Sequence, residues 1–240
     1  MLRVFRDAGG EAPQPSRRRR RRRDLRPGPG LVSELSTPIE VFADITCPFT
    51  HVGLRRLVQR RRALGRTDVR FWVRAWPLEL VNGSPLEPGA VGHKVDHLRA
   101  QVAPDLFAAF DRNRFPITSI PALVLAAHAY DLGLEVGEGV SLRLRDALFE
   151  RGLDISRPEV LDEVARLAGV APADAGDRDR VVEDWHEGRR RGVIGSPHFF
   201  VAGRGSFCPS LEVSHDEHGE LQVTDDEESF ESFAAACFGP

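Results

Sequence analysis

The sequence predicts an α/β protein in which a β-α-β unit and a β-β-α unit flank a long block of helices. Three observations carry this. An apolar, β-branched run, IEVFADI (39–45), stops at Cys47-Pro48 and gives way to a helix-like stretch. From about residue 93 to 191 every periodic segment has helical spacing. After Ser196-Pro197 the strand character returns in IGSPHFFVAG (194–203).

Taken in order, IEVFADI is a buried strand, and Pro48 suits the first turn of the helix that follows. Val52, Leu54, Leu57, Val58 and Leu64 form the apolar set of that helix, His51 to Gly65. VRFWVRAW (69–76) is a second strand, parallel to the first across a right-handed crossover. WPLELVNGSPLEPG (76–89) reads as a loop, since Asn-Gly and two prolines punctuate it. Leu98, Val102, Leu106 and Phe110 mark a helix. SIPALVLAAHAYDLGL (119–134) marks another, with Ser119 as its N-cap and Pro121 in its first turn. Leu142–Leu148 and the set Leu161, Val164, Ala165, Leu167, Ala168 give two more, and Asp177 to Arg191 a last, polar one ending at Gly192. SLEVSHDEHGELQV (210–223) is a hairpin turning at Asp216 to Glu220, and SFESFAAACF (229–238) is a terminal amphipathic helix.

At 240 residues, with 41% apolar residues, the chain can bury a sizeable core. No run approaches the roughly 20 apolar residues that cross a bilayer. Residues 1–31 hold ten arginines against Asp7, Glu11 and Asp24, a balance of +7, so the net −3 leaves −10 on the remainder. An acidic body argues against a nucleic-acid-binding core. Lys94 is the single lysine among 33 basic residues, so the run Arg17–Arg23 reflects a compositional habit. Residues 1–36 are expected as a disordered Arg-rich leader, with a start near Val32 as an alternative. No apolar stretch follows the arginines, so no secretory signal is expected and the location is read as cytoplasmic. Three cysteines, Cys47, Cys208 and Cys237, are too few and too odd for a disulfide framework.

The chemistry concentrates at Cys47. The unpaired N–H groups and dipole at a helix start favour a thiolate, and the thiolate is the nucleophile. Thr50 and His51 stand three and four residues on, on the same helix face. The Thr50 hydroxyl is expected to donate to the thiolate and the His51 imidazolium to stabilise it. The bland reading of Cys47 is an inert buried thiol. Ser196-Pro197 forms a second corner, because an X-Pro bond is the type that readily turns cis. There the Ser196 backbone would meet an extended peptide or glutathione. Asp44 is either a proton relay to Cys47 or a partner for the strand-end backbone. Cys208 follows the third strand and reads as a small buried residue unless its loop folds back to Cys47; Cys237 reads as core. His93 and His97 have metal-ligand spacing, but HKVDH lacks the glutamate of a zinc hydrolase, so no metal is expected. His215 and His218 read as an exposed turn.

FADITCPFTHVG resembles the active-site segment of DsbA-like thioredoxin-fold proteins: an acidic residue, Cys-Pro-x-Cys, then a helix-opening glycine. RRRGVIGSPHFFVAG resembles their cis-proline loop, RAWPLEL the segment after their second strand, and LRDALFERGLDISRPEVLDEVARLAGV the helical insertion of the cytoplasmic branch. The likeness spans roughly residues 38–203. It implies a thioredoxin fold, residues 37–85 and 192–240, interrupted by a helical domain at 86–191. Carried over, Cys47 is the attacking thiol, Pro197 the cis-proline, and Pro48, Phe49, His51 and Ser196 face substrate. Thr50 occupies the resolving cysteine's place.

The resemblance implies a cytoplasmic oxidoreductase working through one thiol. It would form mixed disulfides with a disulfide-containing or glutathionylated protein, or with a low-molecular-weight thiol. No tightly bound cofactor, nucleic acid or membrane is implied, and glutathione would be a co-substrate. Kappa-class glutathione transferases and hydroxychromene-carboxylate isomerases belong to the same fold family and carry a Ser-Pro-x-x corner. A glutathione-dependent transferase or isomerase is therefore the alternative, although the nucleophile here is cysteine and SFCPSLEV replaces their glycine-Asp-Arg pattern. A decayed redox fold that binds a partner is the third reading.

Overall fold

The computed structural model describes residues 38–174, 178–215 and 221–239. The expected leader and the hairpin turn at Asp216 to Glu220 lie outside them. The elements, in order, are β1 (Ile39–Ala43), α1 (Pro48–Ala63), β2 (Phe71–Ala75), α2 (Leu78–Asn82), α3 (Pro88–Gln101), a 3-10 turn (Arg112–Arg114), α4 (Ile120–Leu132), α5 (Leu134–Phe149), α6 (Pro158–Ala168), α7 (Asp179–Arg190), β3 (His198–Val201), β4 (Arg204–Phe207), β5 (Leu211–His215), β6 (Leu221–Asp225) and α8 (Glu227–Phe238).

The main sheet has the order β2-β1-β3-β4. β1 and β2 are parallel, as the crossover through α1 requires, while β3 is antiparallel to both β1 and β4. The period-2 alternation of strands sorts the two faces. Val41, Ala43, Phe71 and Phe199 pack with Leu54, Leu57 and Val58 of α1 and Phe230, Phe233 and Phe238 of α8. Phe42, on the opposite face, packs with Trp76, Val193 and Trp185 of α7. Gly188 of α7 permits that contact, since a Cβ there would stand 2.7 Å from the Trp76 ring. A third core joins α3 to α6 with Ile45, Val52, Leu211 and Val223.

The helices between β2 and β3 also close the edge of the sheet. The outward backbone groups of β2 find side-chain partners there: Phe71 N–H donates to Glu138 (2.8 Å), Val73 N–H to the Tyr130 hydroxyl (2.9 Å), and Ala75 N–H to Asp184 (3.0 Å). An edge strand's unpaired amides are thereby satisfied without another strand. Arg61 holds Glu138 in place from α1.

Four expectations are corrected. The helix expected through Leu98, Val102, Leu106 and Phe110 stops at Gln101. Pro104 supplies no N–H and biases Ala103 away from helical dihedrals, and Phe107 adopts φ 65°. The loop expected at 76–89 contains α2 and the first residues of α3, which Glu87 caps by accepting from the Gly89 and Ala90 N–H groups. Ser119 stands at the N-cap of α4 as expected, but its side chain makes no cap bond and turns instead to Asp44. The sequence after β3 holds one strand more than expected: β4 follows a tight turn at Ala202–Gly203, so β5 and β6 form a separate two-stranded sheet. Among the described residues, no helix is long and apolar enough to cross a membrane.

Candidate active site

The antiparallel register of β1 and β3 builds the site. Partner numbers sum to 240 in that ladder (Phe42 with His198, for example), which sets Asp44 opposite Ser196. Beyond β3 the Ser196–Pro197 peptide is cis. Cys47 is the N-cap of α1, with Pro48 in its first turn.

Ser196 binds three residues of this corner. Its hydroxyl oxygen accepts from the Asp44 N–H at 2.9 Å and lies 2.9 Å from Thr50 Oγ1. Its carbonyl accepts the Cys47 thiol at 3.0 Å. Thr50 thus bonds Ser196 rather than Cys47. Cys47 is 3% exposed; Pro48, Thr50, Ser196 and Pro197 are buried, and Phe49 is half-buried.

His51 turns away from the thiol. Its Nε2 lies 2.6 Å from Glu150 Oε1, and its ring completes a cluster with Phe107 and Phe149. Burial works against the Glu150 charge. Hydrogen bonds from His51 and from the Phe107 and Ala108 N–H groups outweigh it and hold the carboxyl at about 2. Glu150 is therefore an anion, and it fastens the start of α1 to the 107–108 turn.

Asp44 is buried, and its carboxylate is fully engaged. Oδ1 accepts from the Thr46 N–H and hydroxyl, each at 2.8 Å; Oδ2 accepts from Leu78 N–H at 2.7 Å and Ser119 Oγ at 3.0 Å. Burial raises its pKa, and those hydrogen bonds pull in the opposite direction. Of the two roles open for Asp44, these contacts match the partner of the strand-end backbone.

Cys208 returns to the corner's far side. Its N–H donates to the Pro197 carbonyl at 3.0 Å, and its φ is 45°. Burial pushes its thiol up to about 12, with a smaller contribution from Cys47. The strand order places β3 between the ends of β1 and β4. Cys47 bonds the Ser196 carbonyl and Cys208 the Pro197 carbonyl, so both reach adjacent residues of one corner. All three cysteines are free thiols, and Cys237 packs beside the α8 core. His93 is exposed on α3, and no described group of three or more His, Cys, Asp or Glu could hold a metal ion.

Two contributors escaped the sequence reading. Glu150 is an acidic residue at a helix C-terminus, where the dipole disfavours it, a sign of a partner elsewhere. Arg145 follows Ser141 by one turn on the buried face of α5, a charge inside an apolar stripe.

Residues 38–217 match the DSBA-like thioredoxin domain. The chain belongs to that family. Solved structures of similar fold include a probable DsbA oxidoreductase from Streptomyces coelicolor, at 20% identity and TM-score 0.58, covering 85% of this chain and 91% of that one. Another is the cytosolic disulfide reductase DsbM from Pseudomonas aeruginosa with GSH, at 18% identity and TM-score 0.54, covering 83% and 96%. A 2-hydroxychromene-2-carboxylate isomerase is also similar, at 15% identity and TM-score 0.50, covering 71% and 88%. No curated protein matches the chain. This DSBA-like domain shares the fold of thiol-exchange proteins and of an isomerase alike.

Proposed function

We propose that the protein is a glutathione-dependent enzyme that transfers glutathione to, or isomerises, a small electrophile at the Cys47–Ser196 corner. One observation carries this reading: the corner offers a single thiol, acting as a hydrogen-bond donor to the Ser196 carbonyl, beside two hydroxyls. Dithiol exchange needs a second reactive sulfur to release the mixed disulfide; Thr50 carries none, and burial pushes the Cys208 thiol up to about 12. A thiol co-substrate brings its own sulfur. Cys47 S–H, redirected from the Ser196 carbonyl, would donate to the glutathione thiolate and hold it for attack. The solved relative with GSH supports the choice of thiol.

A second reading is favoured by the identity of the residue itself. Cysteine at a helix N-cap is a nucleophile in its own right. Cys47 would attack a disulfide or glutathionylated protein, and free glutathione would release it by a second exchange.

Steady-state assays of the full chain and Cys47→Ser separate the two. A serine hydroxyl donates from the same place, so conjugation or isomerisation saturable in glutathione should survive the substitution. Disulfide reduction that disappears in Cys47→Ser supports the second reading. Absence of glutathione binding and of turnover in both proteins rejects both, and leaves a non-enzymatic binding role.

A further inference from the structure

Arg145 is 1% exposed, the largest fully buried side chain among the described residues. Its hydrogen bonds run to neutral oxygens: Nη1 to the Ser141 carbonyl (3.0 Å) and hydroxyl (2.7 Å), and Nη2 to the Asp44 carbonyl (3.2 Å). Its Nε has no partner among the described residues. A buried guanidinium without a hydrogen-bonded carboxylate is costly to fold, and removing one partner of a buried charge is strongly destabilising. The arrangement therefore calls for negative charge close by. The Asp44 carbonyl also accepts the Cys47 N–H at 3.4 Å. The guanidinium and the Cys47 amide thus share one oxygen, and stand no farther apart than the sum of those two bonds.

We infer that Arg145 is a positioning residue: it holds the Asp44–Cys47 turn by its carbonyl and supplies the positive charge that balances a sulfur anion at Cys47 or on a bound thiol. This rests on the reading that a sulfur ionises at this corner. The charge persists at neutral pH. Burial lowers the Arg145 pKa, to about 10, against the opposing influence of Tyr130, Asp44, Cys47 and Asp146. Tyr130 faces it from α4 and is held neutral by burial. Arg180 and Asp184 of α7 line the same small cavity beside it, and Asp184 is ion-paired with Arg74. Asp44 faces it from the corner, bonded to the neutral donors of Thr46, Leu78 and Ser119, and acts on the guanidinium ahead of Cys47, so a sulfur anion shares the balancing with it.

The test measures iodoacetamide modification of Cys47, resolved from Cys208 and Cys237 by peptide mass, in full-length wild type, Arg145→Met and Arg145→Lys. Alkylation follows the thiolate, so removing the charge should slow it about tenfold at neutral pH. Alkaline pH should restore the rate in R145M, which damage to the fold would not allow. R145K, keeping the charge, should stay within about threefold of wild type. A folded R145M that reacts at the wild-type rate overturns the inference, as does a slow R145M that alkaline pH fails to rescue. Should R145M not fold, a tenfold loss in a folded R145K overturns it. If the alkylation pattern holds while no variant binds or turns over glutathione, Arg145 keeps its role and the glutathione reading falls.

Discussion

Ser196→Ala tests the architecture of the corner. The substitution deletes one oxygen, yet two groups depend on it: the Asp44 N–H and the Thr50 hydroxyl. Both residues are at most 1% exposed, so water cannot replace the lost partner. A buried, unsatisfied N–H costs about 2 kcal/mol, and a hydroxyl that can turn toward another acceptor costs about 1 kcal/mol. The sum is roughly 3 kcal/mol. For a domain of this size each kcal/mol moves Tm by about 2–4 °C, so the loss is about 6–12 °C.

Thr50→Val supplies the control. It removes the hydroxyl but leaves Ser196 bonded to Asp44, so it should cost about 1 kcal/mol. In the double variant no Thr50 hydroxyl remains to be orphaned, and the two losses should fall short of additivity by about 1 kcal/mol. Thermal melts and urea titrations of the four proteins measure this. The Cys47 acceptor is the backbone carbonyl of residue 196, so alkylation of Cys47 should continue at the wild-type rate in S196A. An S196A protein that melts with wild type, or strict additivity in the cycle, would refute the convergence on Ser196.

Other outcomes follow from the same contacts. Glu150 is held at about 2, below its ordinary 4.5, so it adds stability that is present above pH 4.5 and fades as the pH falls toward 2. Melting temperature against pH should show that loss in wild type and a flatter course over the window in Glu150→Gln; equal slopes would contradict the role given to the His51–Glu150 contact. Thr50→Cys creates a Cys-Pro-x-Cys motif, and oxidised glutathione, itself reduced to two thiols, should convert it to an internal disulfide between Cys47 and the introduced thiol, seen as a loss of two hydrogens by intact mass. In the wild type the same reagent should not produce a Cys47–Cys208 disulfide, because burial pushes the Cys208 thiol up to about 12 and leaves little thiolate to react; finding that link would defeat the single-thiol reading.

Local chemistry made most of the frame legible. IEVFADI is a strand buried on both faces but for Glu40, VRFWVRAW alternates buried with half-buried residues, and Cys47-Pro48 opens α1 because proline gives up only an N–H that the first turn leaves unpaired. Periodicity failed where tertiary contact outweighed it. Leu98, Val102, Leu106 and Phe110 keep helical spacing, but the last three point into the core from an irregular chain that Pro104 breaks. β4, RGSF, is short, glycine-bearing and largely exposed, so its strand character comes from pairing with β3 and leaves little trace in composition.

The site shows the same division. Cys47, Pro48, Ser196 and Pro197 were legible because each occupies a position with its own backbone requirement. The partners of Thr50, His51 and Asp44 were not, since hydrogen bonds across 146, 99 and 75 residues of sequence leave no local signal. Those partners reveal what the helical block does for the corner. Glu150 comes from the end of α5, and Arg145 from one turn earlier. One fastens His51, and with it the first turn of α1; the other reaches the carbonyl that receives the Cys47 amide. Removal of the block would leave β2's edge amides, the His51 ring and the Asp44 carbonyl without these partners at once. The helices between β2 and β3 are thus part of the corner's support, and substitutions on the buried face of α5 should alter Cys47 chemistry as directly as changes in the sheet beside it.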